Sequence, residues 1–112
     1  MASTGIYIFD GGALTGSAVT QGTVVPTGKK RVIKAASLCN TTGGVVTATV
    51  YLVPSGGAAG ASNTYISGRP IAAGETYPCP ELVNQGLNEG GFVQALGNGL
   101  TFKYTSQEFV GS

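Results

Sequence analysis

The segment Val45-Val46-Thr47-Ala48-Thr49-Val50-Tyr51-Leu52-Val53 decides the fold class. Alternate positions sort into Val46, Ala48, Val50 and Leu52 on one side and Val45, Thr47, Thr49, Tyr51 and Val53 on the other. Successive side chains of an extended chain point to opposite faces, so this is the two-residue period of a strand, and its β-branched residues suit a pleated surface. Just upstream, Arg31 to Cys39 also alternates, with Val32, Lys34, Ala36 and Leu38 against Ile33, Ala35, Ser37 and Cys39. The intervening Asn40-Thr41-Thr42-Gly43-Gly44 is turn chemistry, so the two segments are expected to pair as an antiparallel hairpin.

Outward from this pair the pattern repeats in shorter pieces. Strands are predicted at Thr64 to Ser67, Arg69 to Ala72, Glu75 to Tyr77, Phe92 to Leu96, Leu100 to Tyr104 and Gln107 to Val110. Asn98-Gly99 predicts a second hairpin, through a type I′ turn that needs positive φ at both central residues. Gly or Pro interrupts nearly every helical window, and the one helical turn expected lies within Glu81 to Glu89, with Leu82, Val83 and Leu87 inward. At the amino-terminal end Ile6-Tyr7-Ile8-Phe9 is a compact apolar strand, followed by a Gly-, Thr- and Ala-rich stretch from Asp10 to Gly22. Residues 1–30 therefore read either as an extended arm that adds to a neighbour's sheet edge or as a first strand inside the molecule's own sandwich. The whole, residues 1–112, reads as a single all-β domain. A small jelly-roll-like β-sandwich is the first choice and an immunoglobulin-like sandwich the alternative.

The surface must be unusually poor in charge. Only 10% of the 112 residues are charged, the formal net charge is +1, and 19 residues are Gly, whereas an ordinary soluble domain carries roughly 25% charged residues. Such a surface tolerates close neighbours, which suits a subunit of an assembly and predicts a homo-oligomer. Lys29, Lys30, Arg31 and Lys34 are the one basic cluster. Four charges make too small a stripe for a nucleic-acid partner, and they read as a solvated strand end or as an edge guarded by Lys. The candidate protein interface is accordingly Ile6, Tyr7, Ile8 and Phe9, with Lys29, Lys30 and Arg31 beside them. Residues 1–6 show neither a basic n-region nor an apolar h-region, so a secretory signal is not expected, and no window is long and apolar enough for a membrane helix.

Little in the chain points to bond-making chemistry. There is no His, which removes the commonest general base and metal ligand. Cys39 and Cys79 alone cannot complete a zinc site, and they are expected to be two thiols. Thr27-Gly28-Lys29-Lys30 resembles the end of a phosphate loop but lacks its first Gly and its Ser or Thr. No metal or cofactor is expected. A hydrolase would have to run on carboxylates such as Glu81 and Glu89, and a sugar-binding face would have to use Tyr51, Tyr65 or Tyr77.

One resemblance reaches about two-thirds of the chain. It runs through Val32 to Thr42, Val50-Tyr51-Leu52-Val53-Pro54-Ser55-Gly56, Ile71-Ala72-Ala73-Gly74-Glu75-Thr76-Tyr77, Leu82-Val83 and Gly91-Phe92-Val93-Gln94-Ala95. This series resembles small virion proteins of tailed bacteriophages, most of all the capsid decoration or cement proteins. The resemblance implies a β-sandwich without catalytic activity and a place in the virion, assembled in the host cytoplasm. It also implies binding to the major capsid protein or another virion protein. A tail, neck or fibre-associated role, structural or receptor-binding, is the alternative within the same setting.

Overall fold

The computed structural model describes residues 6–110, with the side chain of Ile6 outside the description. Nine strands form two antiparallel sheets: β1 (Ile6–Ala13), β2 (Val19–Gln21), β3 (Lys29–Asn40), β4 (Val46–Val53), β5 (Thr64–Ile71), β6 (Thr76–Tyr77), β7 (Gly86–Leu87), β8 (Phe92–Leu96) and β9 (Leu100–Val110). Sheet A runs β1-β9-β3-β6, with β7 also on β3, and sheet B runs β2-β8-β4-β5. The sandwich expected from the alternating segments is thus the architecture found. Its core is the inward row of each strand, including Ile33, Leu38, Ala48, Val50, Ile71, Val93, Ala95 and Phe102.

The decisive segment alternates as read up to Leu52, while Val53, read on the opposite face, is buried as well. Ala48, Val50 and Leu52 are buried and Val46 packs against the core. Its partners are β8 and β5, however, and not β3. The expected Arg31–Val53 hairpin does not form, because the chain crosses from one sheet to the other between β3 and β4. Asn40 makes the crossing. It is fully buried, its Nδ2 donates to the carbonyl oxygens of Gly44 and Ile71 at 2.7 and 2.8 Å, and its Oδ1 accepts from the Thr42 amide and hydroxyl at 2.9 and 2.7 Å. One side chain therefore ties the end of a sheet A strand to the connecting loop at Gly44 and to sheet B at Ile71.

The Asn98-Gly99 hairpin is corrected in the same way. β8 lies in sheet B and β9 in sheet A. Gly99 has φ +97°, but Asn98 is absent from the positive-φ residues, so the turn closed by the Leu100 amide on the Gly97 carbonyl at 2.9 Å has the φ signature of type II. Gly97 is required here: a Cβ would stand 2.6 Å from Leu100 Cδ1 and 3.1 Å from the Thr47 carbonyl oxygen.

β3 departs from strict alternation. Pairing with β9 is regular from Lys29 to Ile33 and again from Ala35 to Asn40, and Lys34 is the extra residue between them. Such a bulge moves the chain one step in phase. Arg31 and Ile33 point inward before it, Ala36, Leu38 and Asn40 after it, and Lys34 goes to solvent. Two shorter predicted pairs also fuse: Thr64–Ile71 is one strand, and so is Leu100–Val110. The expected turn in Glu81–Glu89 shrinks to a 3-10 turn at Pro80–Leu82, with Leu82 and Leu87 buried as read but Val83 exposed.

Of the two readings of the amino-terminal segment, the structure shows the strand inside the molecule's own sandwich. β1 pairs with β9 over eight consecutive residues, Ile6↔Glu108 to Ala13↔Thr101, and β2 pairs with β8. β1 and β2 thus belong to the chain's own sheets, and residues 1–5 of the expected arm lie outside the described residues.

The two faces of β9 should answer differently to truncation. Phe102→Ala, at a fully buried position, is expected to lower the unfolding free energy by about 3–5 kcal/mol. Thr105→Ala, next but two on the outward face, should change it by no more than about 0.5 kcal/mol. Urea titration checks both, and equal effects would reject the assigned phase of the strand.

Candidate protein-protein interface

β1, β9 and β3 lie side by side, and their shared register sorts residues into rows. Tyr7 stands beside Gln107 and Val32, Phe9 beside Thr105 and Ala35, Gly11 beside Lys103 and Ser37. Phe102, Tyr104, Ser106 and Glu108 are buried between the sheets, so these alternate rows face outward. They form a face of low charge. Phe9 is 77% exposed and Tyr7 60%, while Val32 and Phe109 are half-buried. A shallow groove of about 270 Å³ runs between Phe9, Ala35, Ser37, Lys103 and Thr105.

The two groups of candidate interface residues meet at one end of this sheet. Lys29 pairs with Val110, Lys30 with Phe109, and Arg31 with Glu108, whose other neighbour is residue 6. Tyr7, Phe9 and Lys30 reach solvent, while Ile8 and Lys29 are half-buried. Arg31 is not on the outer face. It is 5% exposed, its Nε donates to Glu108 Oε1 at 2.9 Å, and its Nη1 donates to the Thr23 carbonyl oxygen at 3.0 Å. The sequence places a basic residue there, but β3 phase turns it inward, where it neutralises a buried carboxylate. Ala35, Thr105 and Phe109 are members of the outer face that were not singled out. The signal for Thr105 and Phe109 was the alternation of β9, read as two short strands instead of one, and that for Ala35 was the alternation of β3.

The inner side of the same rows is polar for a sandwich core. Tyr104 donates its hydroxyl to the Gln21 carbonyl oxygen at 2.7 Å, and burial, with the Asp10 carboxylate adding, holds this phenol well above its usual range. Asp10 turns its carboxylate toward Gly22, where an added Cβ would meet Asp10 Cγ and the Tyr104 hydroxyl at 2.6 Å each. Gly22 has φ +76°, so both space and conformation demand glycine.

The residues considered for chemistry do not converge. Glu81 accepts the Tyr77 hydroxyl at 2.6 and 2.7 Å. Loss of surrounding water, and then this carboxylate, push the phenol up to about 12. Glu89 instead lines a cleft of about 540 Å³ with Leu52, Pro54, Ser55, Tyr65 and Leu87. Of the three tyrosines considered for sugar stacking, Tyr65 alone lines that cleft. Cys39 and Cys79 are free thiols, and burial pushes the Cys79 thiol up to about 12. Among the described residues no group of three or more Cys, Asp or Glu is placed to hold a metal ion. Asn40, the acceptor of a glycosylation triplet, is buried and fully hydrogen-bonded.

Removing one half of a buried ion pair strands the other. Arg31→Met is expected to cost about 3–5 kcal/mol of stability at neutral pH, whereas Lys30→Met, one residue away and exposed, should stay within about 0.5 kcal/mol. Denaturant midpoints decide the matter, and an Arg31→Met midpoint equal to the parent's would refute a structural role for the pair. No family model matches this chain, and neither a curated protein nor a solved structure matches it.

Proposed function

We propose that this chain is a structural protein of a tailed-bacteriophage particle, a capsid decoration or cement protein without catalytic activity. In this reading it seats the outer face of sheet A on the assembled major capsid protein shell and stabilises it. The observation that carries the reading is the exposure of Tyr7 and Phe9 on a sheet face whose outward rows hold few charges. Exposed aromatic residues on such a face favour burial against protein, at roughly 25 cal/mol per Å² of apolar area less the cost of association. The resemblance of Val32–Ala95 to phage virion proteins gives the partner its setting.

Strand order supports a jelly roll over an immunoglobulin-like sandwich. An immunoglobulin-like fold keeps hairpin neighbours together in one sheet. Among the described residues β4 and β5 are the only consecutive strands that pair, while β1 pairs with β9 and β2 with β8. This nesting is that of a ribbon folded back on itself into two sheets, the arrangement that also builds viral shell domains.

Purified shells test the assignment by co-sedimentation. Ala35→Glu puts a charge in the middle of the outer face and should weaken shell binding tenfold or more, about 1.4 kcal/mol. Tyr65→Ser, on the edge strand of sheet B, should leave it unchanged. Deleting residues 1–22 is not a useful test, because it removes the buried Leu14 and Gln21 and would unfold the core. Indifference of shell binding to Ala35→Glu, or no binding by the parent chain, rejects the proposal.

The cleft beside Tyr65 favours a second reading, a tail- or fibre-associated module that recognises host glycan. An aromatic wall with Glu89 and Ser55 opposite suits a sugar ring. Glycan-array binding lost in Tyr65→Ser would favour it over the shell assignment.

A further inference from the structure

The sandwich has two sheets and therefore two pairs of edges, and three of the four are guarded. β2 is three residues long, and β6 and β7 two each. Such short strands offer little to pair with. β5 is longer, but it carries Gly68 at φ +58°, then Arg69 and Pro70, and its pairing with β4 shifts register twice. Proline, a cation and irregular backbone are the usual obstacles to edge pairing.

β1 lacks the cation and the proline, and its one positive φ, at Gly11 (+141°), lies beyond residues 6–10. It is eight residues long and pairs with β9 without a break in register. It contains no Lys, Arg or Pro. Its one charged residue, Asp10, turns inward with Oδ2 buried. Among the described residues no strand lies on its free side. An edge in unbroken register with its neighbour and bearing two exposed aromatics is unusual for a molecule that works alone.

We propose that β1 is the interface between two copies of this chain, joined antiparallel about a two-fold axis at Ile8 so that two sheets A become one continuous sheet. The strand's own sequence selects this occupant and register. Centred on Ile8, Tyr7 of each copy stands opposite Phe9 of the other, on the outward face. That gives two cross-strand aromatic pairs, among the favourable side-chain pairings of antiparallel strands. Asp10 then lies opposite residue 6. Parallel in-register pairing would instead set Asp10 beside Asp10, which like-charge repulsion disfavours. A net charge of +1 per copy adds little repulsion between them.

This proposal deepens the shell-binding reading. The joined sheet places four aromatic side chains at the centre of one doubled outer face, and copies seated side by side on a shell meet at high effective concentration. An edge contact is small, so the free dimer is expected to be weak. The test is made without particles, which keeps its failure distinct from a failure of shell binding.

Sedimentation equilibrium of the full chain from about 10 µM to about 1 mM should show the mass rising from the 11.2 kDa of one chain toward twice that value, as for a weak contact. Tyr7→Lys with Phe9→Lys should raise the dissociation constant roughly tenfold or more. In a Cys39→Ser background, Ile8→Cys should crosslink to itself under mild oxidation, since facing residues of antiparallel strands fall within disulfide reach. Tyr7→Cys in that background should not, because its partner is Phe9. The parent chain supplies a check that needs no variant: amide exchange at residues 7–9 should slow as concentration rises. A mass of 11.2 kDa at every concentration, a dimer indifferent to the two lysines, or crosslinking by Tyr7→Cys and not by Ile8→Cys would each overturn the proposal.

Discussion

Everything in this molecule is referred to the ladder between β3 and β9. Residues 29–40 pair with residues 100–110 through a single bulge at Lys34, and every other strand of sheet A is attached to one of these two. The ladder joins the first third of the chain to its end, so its closure entropy must be met before any local pairing can hold it in place. It also fixes what faces where. The bulge sets the inward phase of β3, and β9 transmits that phase to β1 through eight matched positions. The outward display of Tyr7 and Phe9 is thus a consequence of pairing made far from them in sequence.

Strand identity was legible in the residues because period two is a local property. Val46–Val53 and Phe92–Leu96 announced themselves as strands, and the first also sorted its residues onto two faces. Strand partnership was not legible, because a turn that reverses a chain within a sheet and one that carries it to the opposite sheet use the same Gly and Asn chemistry. Asn40 illustrates the difference. Its four hydrogen bonds reach Thr42 and Gly44 nearby but also Ile71, and no pattern around residue 40 discloses that third partner. The inward turn of Arg31 was hidden for a related reason. Strict alternation places Arg31 with Ile33, as observed, but reading Lys34 with Ala36 on one face concealed the bulge that makes Ile33 and Ala36 share the core.

The polar interior along β9 shapes the surface. Arg31, Glu108 and Asp10 account for three of the chain's few charges, and all three are turned inward. A chain already poor in charge therefore presents still less of it on sheet A, where Lys30, Lys34 and Lys103 are the exposed charges of the β1, β9 and β3 rows. The resulting face is apolar enough to favour contact and hydroxyl-rich enough to stay hydrated when uncovered. The Tyr65 cleft lies toward the other side of the sandwich, where β5 and β7 close the two sheets. The proposed shell contact and the proposed glycan contact would thus call on separate regions of one scaffold.

Hydroxyl-radical footprinting of purified virions against the free chain tests the central claim most directly, since it reads side-chain burial in the assembled particle. The account predicts strong protection of Tyr7, Phe9 and Phe109 in the particle, with Tyr65 labelled as in the free chain. Virions that lack this chain, or that contain it with Tyr65 protected and Tyr7 and Phe9 fully labelled, would contradict it.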